Sequence, residues 1–429
     1  MKRKTLSRFM FSLIMVLLVT RFSIPSSAVT AKITPPAETI TIDNAVIDAF
    51  ATNGSAAYWV DFLSHPDLSK AYEMSWEERG WYVYETLKTD AEKSQAVVRD
   101  YLSSHGVVFE SFWIKNTILV RQSDPSVFDM MQQLPNVQAI RSLHSYALDV
   151  PENVYEPQYF ILAGIEPNIA HVKADQVWGM GIDGAGSVVA NIDTGVLFTH
   201  DALLFQYRGN NRDGTYTHDY NWFDPYGVYT IPTDANGHGT HTMGTMVGDD
   251  GVANQIGMAP GAQWIACRGC SSSSCTDAAL LACAQFVTAP TTVTGTAPNP
   301  NMRPYVVNNS WGDCSTSYDN WYQVVVDAWQ ASGIYPVFSN GNASNCGYSA
   351  PPGLNTVGNP ARYGNVTSVG SSGQQNGQYA THSNWGPTDN PDTINPTNGF
   401  DMLKPQVIAP GVSIRSSINS SNTSYTISS

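Results

Sequence analysis

Asn236-Gly237-His238-Gly239-Thr240-His241-Thr242-Met243-Gly244-Thr245 decides how this chain is read. A histidine stands between two glycines, and the small residues after it continue as a helix. With no Cβ on either side of His238, the backbone there can pass close to another segment. Gly239, Thr240 and Gly244 are small enough to let that helix pack tightly against a neighbour. An imidazole at the mouth of such a helix is placed for proton transfer near neutral pH. A lone histidine more often satisfies a core hydrogen bond, and a general base needs partners.

The nearest partner lies upstream. Ser187-Val188-Val189-Ala190-Asn191-Ile192 is a largely apolar strand of the buried parallel kind, and it ends in Asp193-Thr194-Gly195. A carboxylate on the turn at a strand's C-terminal end sits where open α/β sheets gather ligands and catalytic groups. Taken alone, Asp-Thr-Gly also occurs in aspartic proteases, calcium loops and ordinary turns. With His238 forty-five residues on, the pair gains meaning, because an imidazole base needs a carboxylate to hold its tautomer and stabilise the imidazolium.

Several further segments resemble the subtilisin-like serine peptidases, in the chain order Asp then His. Val196 and His200-Asp201-Ala202-Leu203 resemble that family's G-V-x-x-x-H-x-x-L continuation. Val306-Val307-Asn308-Asn309-Ser310-Trp311-Gly312 resembles its N-x-S-x-G segment, and Pro336 to Asn342 its strand toward the oxyanion asparagine. Asn359-Pro360-Ala361, Thr367 to Gly370, Ser383 to Gly386 and Lys404 to Gly411 continue the match in order. Tyr207-Arg208-Gly209 and Asn221-Trp222 are similar to bacillopeptidase F-like members. The resemblance implies that Asp193 orients His238 and that Asn342 donates to the oxyanion, with Asn340 as the competing donor. It also implies that Ser310, Trp311, Gly312, Ser339 and Gly341 line the substrate site. The implied fold is α/β, a mostly parallel sheet with helices on both faces, and the implied partners are polypeptide substrates and the chain's own propeptide.

The totals agree with an exported enzyme. The chain has 429 residues, a net charge of −14 and only 14% charged residues, which excludes a basic nucleic-acid face. Lys2, Arg3, Lys4 and Arg8 precede an apolar run from Phe9 to Thr20, too short to span a bilayer. Small-residue cleavage sites follow at Ser26-Ser27-Ala28 or Val29-Thr30-Ala31, so residues 1–31 read as a signal peptide and the protein as secreted, with no membrane partner. Six cysteines, all from Cys267 onward, favour disulfides in that compartment over zinc. The family arrangement brings the segments after Ser310 and Asn342 together, which implies a Cys314–Cys346 bridge. The other four are expected to pair locally, Cys267 with Cys283 and Cys270 with Cys275.

Residues 32–55 are rich in Pro, Thr and Ala and read as a linker. Strand patterns at Tyr58–Phe62, Gly106–Phe112, Thr117–Val120 and Val137–Ile140 enclose helical spacing at Leu87–Leu102 and Ser126–Leu134. The order β-α-β-β-α-β is a split βαβ, ferredoxin-like α+β unit over residues 56–145. Ahead of a domain carrying His238, it resembles the family's inhibitory propeptide; an unrelated adaptor domain is the alternative. Residues 146–168 read as a junction, His171–Trp178 as a first helix, and 169–429 as the catalytic domain.

His238 and His241 share a helix face, but no His-Glu-x-x-His pattern supplies a third ligand, so no metal is assigned. Calcium is common in the family, yet no acidic loop earns an assignment, and no other cofactor is expected. The family's nucleophile lies in G-T-S-M-A-x-P, which these residues lack. The chain runs through Ser413 to Ser417 and Asn422 to Ser429, about where that motif is expected to begin. The expectation is therefore a secreted zymogen sequence cut short before its serine and silent as it stands. The rival from another class is a peptide-binding pseudoprotease.

Overall fold

The computed structural model describes residues 40–134, 136–148, 164–272, 274–373, 377–388 and 402–429. Thr39–Ser429 form one compact unit. Its N-terminal part is an α+β domain with strands in the spatial order Thr41–Ile42, Val137–Arg141, Ala56–Phe62, Thr117–Ser123, Phe109–Phe112. The last four pair antiparallel in the order of a split βαβ unit. Helix Trp76–Ser94 starts with a capping box, in which Ser75 N donates to Glu78 Oε2 and Glu78 N to Ser75 Oγ. Helix Pro125–Met131 is capped by Asp124, which accepts from Ser126 N and Val127 N. Val60, Phe62, Val98, Leu102, Ile118 and Ile140 fill the core between helices and sheet.

Some boundaries differ from the sequence expectations, each for a local reason. The linker reading of 32–55 does not hold for Thr41–Ile42, a strand parallel to Val137–Arg141, or for helix Asn44–Asn53. Val46 is buried in the domain core and Ile42, Ala49 and Phe50 pack on it, an apolar face that the composition of the preceding stretch obscured. The expected helix Leu87–Leu102 is two helices, Trp76–Ser94 and Ala96–Ser104, joined at Gln95, whose side chain donates to Phe112 O. His171–Trp178 is likewise broken, into Pro167–His171 and Ala174–Trp178, because Lys173 takes a left-handed conformation (φ 63°). Within the expected junction, Tyr146–Leu148 belongs to strand Ser145–Leu148, and residues 149–163 lie outside the described residues, as does the 1–31 segment.

The larger domain is built on a seven-stranded sheet in which every pairing is parallel. Its order is Val407–Pro410, Thr367–Ser372, Tyr335–Ser339, Val306–Asn309, Val188–Asp193, Gln263–Arg268, Trp222–Phe223. The chain leaves Val188–Asp193 toward one edge and later returns to build the other. The ends of these central strands are therefore where a site is expected. Both faces are covered, as the alternation of side chains shows. Ala190, Ile192, Ile265 and Cys267 pack with helices Asp277–Thr288 and Gln323–Ser332, while Trp264 and Ala266 pack with Met243 and Val247 of helix His238–Val247. All three expected disulfides are present: Cys267–Cys283, Cys270–Cys275 and Cys314–Cys346.

A hairpin of Ile414–Ser417 and Tyr425–Ser428 lies against helix His238–Val247. Ser416 Oγ donates to His241 O (2.8 Å) and Ser417 Oγ to Thr240 O (2.9 Å). Gly244 permits this approach, since a Cβ there would overlap both serine hydroxyls. Gly244→Ala is accordingly expected to destabilise the fold by about 1–3 kcal/mol, read as a lower denaturant midpoint with an unchanged slope. An unchanged midpoint would show that the hairpin does not depend on this contact.

Candidate active site

Asp193 is the last residue of the central strand and is 1% exposed. A buried carboxylate is costly unless it is hydrogen-bonded, and this one is. Its Oδ1 accepts from Thr194 N and from His238 Nδ1, both at 2.7 Å, and its Oδ2 accepts from Thr242 Oγ1 at 3.2 Å. His238 is the first residue of helix His238–Val247. The helix reaches the strand end because Gly239 has no side chain, and a Cβ there would overlap Gly195 O.

Asp234 organises this helix start, a role the sequence analysis did not assign. Its Oδ1 accepts from Asn236 N (2.9 Å) and Gly237 N (2.8 Å), and its Oδ2 from Thr240 N (2.9 Å) and Thr240 Oγ1 (2.7 Å). Thr194 Oγ1 donates to the same carboxylate and accepts from Gly239 N, tying helix to strand end. A capping carboxylate ahead of Asn-Gly-His was the available signal.

His241 is a hydrogen-bonding neighbour: its Nε2–H donates to Ile414 O (3.2 Å). Burial pushes its pKa down to about 4, with the charge of His238 acting in the same direction. Cys267 and Cys270 bond to different cysteines rather than sharing an ion. Among the described residues, no group of three or more His, Cys, Asp or Glu is placed to hold a metal ion.

A cavity of about 320 Å³ opens beside the helix. His238, Ser310, Ser339 and Asn342 all line it, together with Met246, Phe338 and Ile414, and so do Ser428 and Ser429. Asn340 reaches the same wall, but its amide is bound into the loop behind. Its Nδ2 donates to Tyr379 OH and Asn384 O, and its Oδ1 accepts from Ser383 Oγ. Gly341 carries the backbone between the two asparagines at φ 89°.

Trp311–Gly312 forms one edge of a short antiparallel sheet, Ser274–Thr276 the other, and Ser145–Leu148 is the strand between them. Leu148 pairs with Trp311, Ala147 with Gly312 and Ser274, and Tyr146 with Cys275. The Trp311 indole is fully buried, edge-on to Tyr322 and Phe338, so its backbone rather than its side chain faces the cleft. Tyr146 stacks on Trp321, with centroids 4.8 Å apart and planes at 16°. The structure thus brings His238, Asn342, Ser310 and Ser339 to one cavity, with Asp193 buried behind His238, and Trp311–Gly312 to the adjoining cleft. The opposite edge, Ser274–Thr276, was missed, since three residues carry no periodicity to read.

Residues 184–429 match the subtilase family of S8 peptidases. Bacillopeptidase F of Bacillus subtilis (strain 168) is 33% identical over 97% of this chain and 31% of its own length. Subtilisin DY of Bacillus licheniformis is 31% identical over 47% of this chain and 61% of its own length. Subtilisin Savinase of Lederbergia lenta is 28% identical over 58% of this chain and 72% of its own length. The chain belongs to the subtilase family of subtilisin-like serine peptidases. It spans less than two thirds of the length of bacillopeptidase F and of subtilisin DY.

A folded-state pKa below the ordinary histidine value has a definite sign. Between about pH 6.5 and 4 the unfolded chain takes up a proton at His241 that the folded chain refuses. Its contribution to stability is complete above that window and is lost as the pH falls through it. His241→Gln should therefore flatten the loss of stability between pH 6.5 and 4 by up to about 3 kcal/mol, measured by denaturant titration at each pH. Equal slopes in both proteins would exclude His241 as the titrating group.

Proposed function

We propose that this chain belongs to the zymogen of a secreted subtilisin-like serine endopeptidase. The observation that carries the reading is the 2.7 Å contact of His238 Nδ1 with Asp193 at the C-terminal end of the central strand, facing one cavity with Asn342. In the reaction, Asp193 holds the His238 ring with its Nδ1–H toward the carboxylate. The other ring nitrogen then takes the proton of a serine hydroxyl as that oxygen attacks the peptide carbonyl. The Asn342 amide donates to the oxyanion of the tetrahedral intermediate. His238 returns its proton to the leaving amine, and water releases the acyl group by the same steps.

The serine belongs to a segment outside these 429 residues, in our reading. Ser428 and Ser429 line the catalytic cavity, which supports a following Gly-Thr-Ser motif entering it. The N-terminal domain acts as the propeptide. Strand Ser145–Leu148 fills the cleft where a substrate strand would pair, a strand-addition mode in which backbone bonds give affinity and side-chain pockets give selectivity. The positive and apolar start of the chain supports export, and among the described residues no helix is long and apolar enough to cross a membrane. A peptide-binding protein without catalysis would share the cleft, and one assay separates the two.

Residues 1–429 are expected not to cleave casein, whereas the chain extended by its downstream codons is expected to do so. In the extended protein His238→Ala and Asp193→Asn should abolish turnover. Asn342→Ala should lower it by about 10²–10³, the loss a subtilisin shows for such a donor, with little change in KM. Casein cleavage by residues 1–429 that disappears with His238→Ala would overturn the missing-serine reading. An extended chain that binds peptide without cleaving it would establish the pseudoprotease.

A further inference from the structure

The N-terminal domain also meets the catalytic domain far from the cleft. Tyr305 precedes strand Val306–Asn309 and so stands at its N-terminal end, whereas Ser310 follows the same strand at the catalytic end. Trp76, the first residue of helix Trp76–Ser94, stacks on Tyr305 with centroids 4.3 Å apart and planes at 23°. Arg303 lies 3.8 Å from the centre of the Trp76 ring, and its guanidinium donates to Trp76 O. Its Nε donates to Ser332 O (2.8 Å) and its Nη1 to Pro300 O (2.7 Å), both in the larger domain, so the group is held independently of Trp76.

Arg79, one turn along, completes the contact. Its Nε donates to Ala331 O and its Nη2 to Gln330 O, both at 2.7 Å. These carbonyls end helix Gln323–Ser332, where the last turn lacks intrahelical donors and the helix dipole favours a cation. Gly80 faces the Arg303 guanidinium, and a Cβ there would overlap it. Each side thus gives one ring and one guanidinium. Stacked tryptophans and geometrically locked arginines are the residue types that dominate interface energetics. Trp76 and Arg79 take no part in the apolar core of their own domain, so the contact serves the interface.

We propose that Arg303, Tyr305 and the C-terminal turn of helix Gln323–Ser332 form a docking site, separate from the substrate cleft, for a helix presenting tryptophan and arginine one turn apart. Its occupant in this chain is the first turn of Trp76–Ser94. The proposal deepens the zymogen reading and rests on it for its purpose. With two anchors, a substrate that displaces Ser145–Leu148 leaves the N-terminal domain attached, and the strand rebinds from a high effective concentration.

Hydrogen exchange on the intact 429-residue chain separates the anchors, with strand Thr117–Ser123 as the control for folding. Trp76→Ala and Arg79→Ala should each speed exchange of residues 76–80 and 329–334 at least about tenfold, with Ser145–Leu148 as in the parent. Tyr146→Ala should do the reverse. If both variants leave residues 329–334 unchanged, or expose Ser145–Leu148 as strongly as the helix ends, the separate site does not exist. No peptidase activity enters the readout, so failure of the catalytic reading would leave this result standing.

Discussion

A helix must begin within hydrogen-bonding distance of the end of a buried strand, and the larger domain is arranged to allow it. His238 Nδ1 lies 2.7 Å from Asp193, a distance that leaves no room for a side chain at Gly239. Closing that gap also turns the free N–H groups of a helix start toward the protein interior. Asp234 satisfies four donors there, and Thr194 bridges it to Gly239 N. Leaving any of these buried groups unpaired would cost more than the bond itself contributes. Asp193 is fixed in turn through Thr242, whose hydroxyl accepts from Asn191 Nδ2 (2.8 Å), and Asn191 Oδ1 accepts from Asn308 Nδ2 (2.9 Å). Asn308 Nδ2 also donates to Ser310 Oγ, so one polar chain runs from the carboxylate to the cleft wall.

Much of this was legible because the informative residues are close in sequence and chemically restricted. The apolar run into Asp193, the glycine-flanked His238 and the order of later segments fix the sheet and the Asp–His pair. The disulfides followed from spacing and from the converging segments of the family fold. Other features depend on distant partners. Thr41–Ile42 is a strand because Val137–Arg141 offers an edge, and Ser274–Thr276 because Ser145–Leu148 arrives beside it. Two or three residues carry no periodicity of their own. The break at Lys173 is a backbone choice that a lysine does not advertise. Asp234 was missed because its work is backbone capping, done by a residue type common in any loop.

The cleft edges raise a different question, since strand edges pair with any extended chain. Backbone pairing alone would let Ser145–Leu148 slip, and a slip of one residue turns every side chain to the opposite face. The contacts just upstream prevent this. Asp277 Oδ2 accepts from His144 N (2.8 Å) and from Trp59 Nε1 (2.6 Å), while Asp277 N donates to His144 O (3.1 Å). Burial pushes the Asp277 carboxyl pKa up, so its charged form depends on those donors. Arg141 adds a weaker tie, to Asp61 on its own domain (3.5 Å) and to Asp319 across the interface (3.8 Å).

Around these polar points the interface is apolar and continuous. Trp59, Leu87 and Phe112 of the N-terminal domain share one cluster with Leu280, Leu281 and Phe286 of the larger one. Apolar contact supplies most of the attraction but tolerates sliding, because it is non-directional. Directional bonds to a buried carboxylate do not tolerate it, since a shifted strand would carry the His144 N–H away from Asp277 Oδ2. The division of labour is therefore physical: the apolar face holds the two domains together, and Asp277 sets which residue meets which pocket. In that register it is Tyr146, and not either neighbour, whose ring stacks on Trp321.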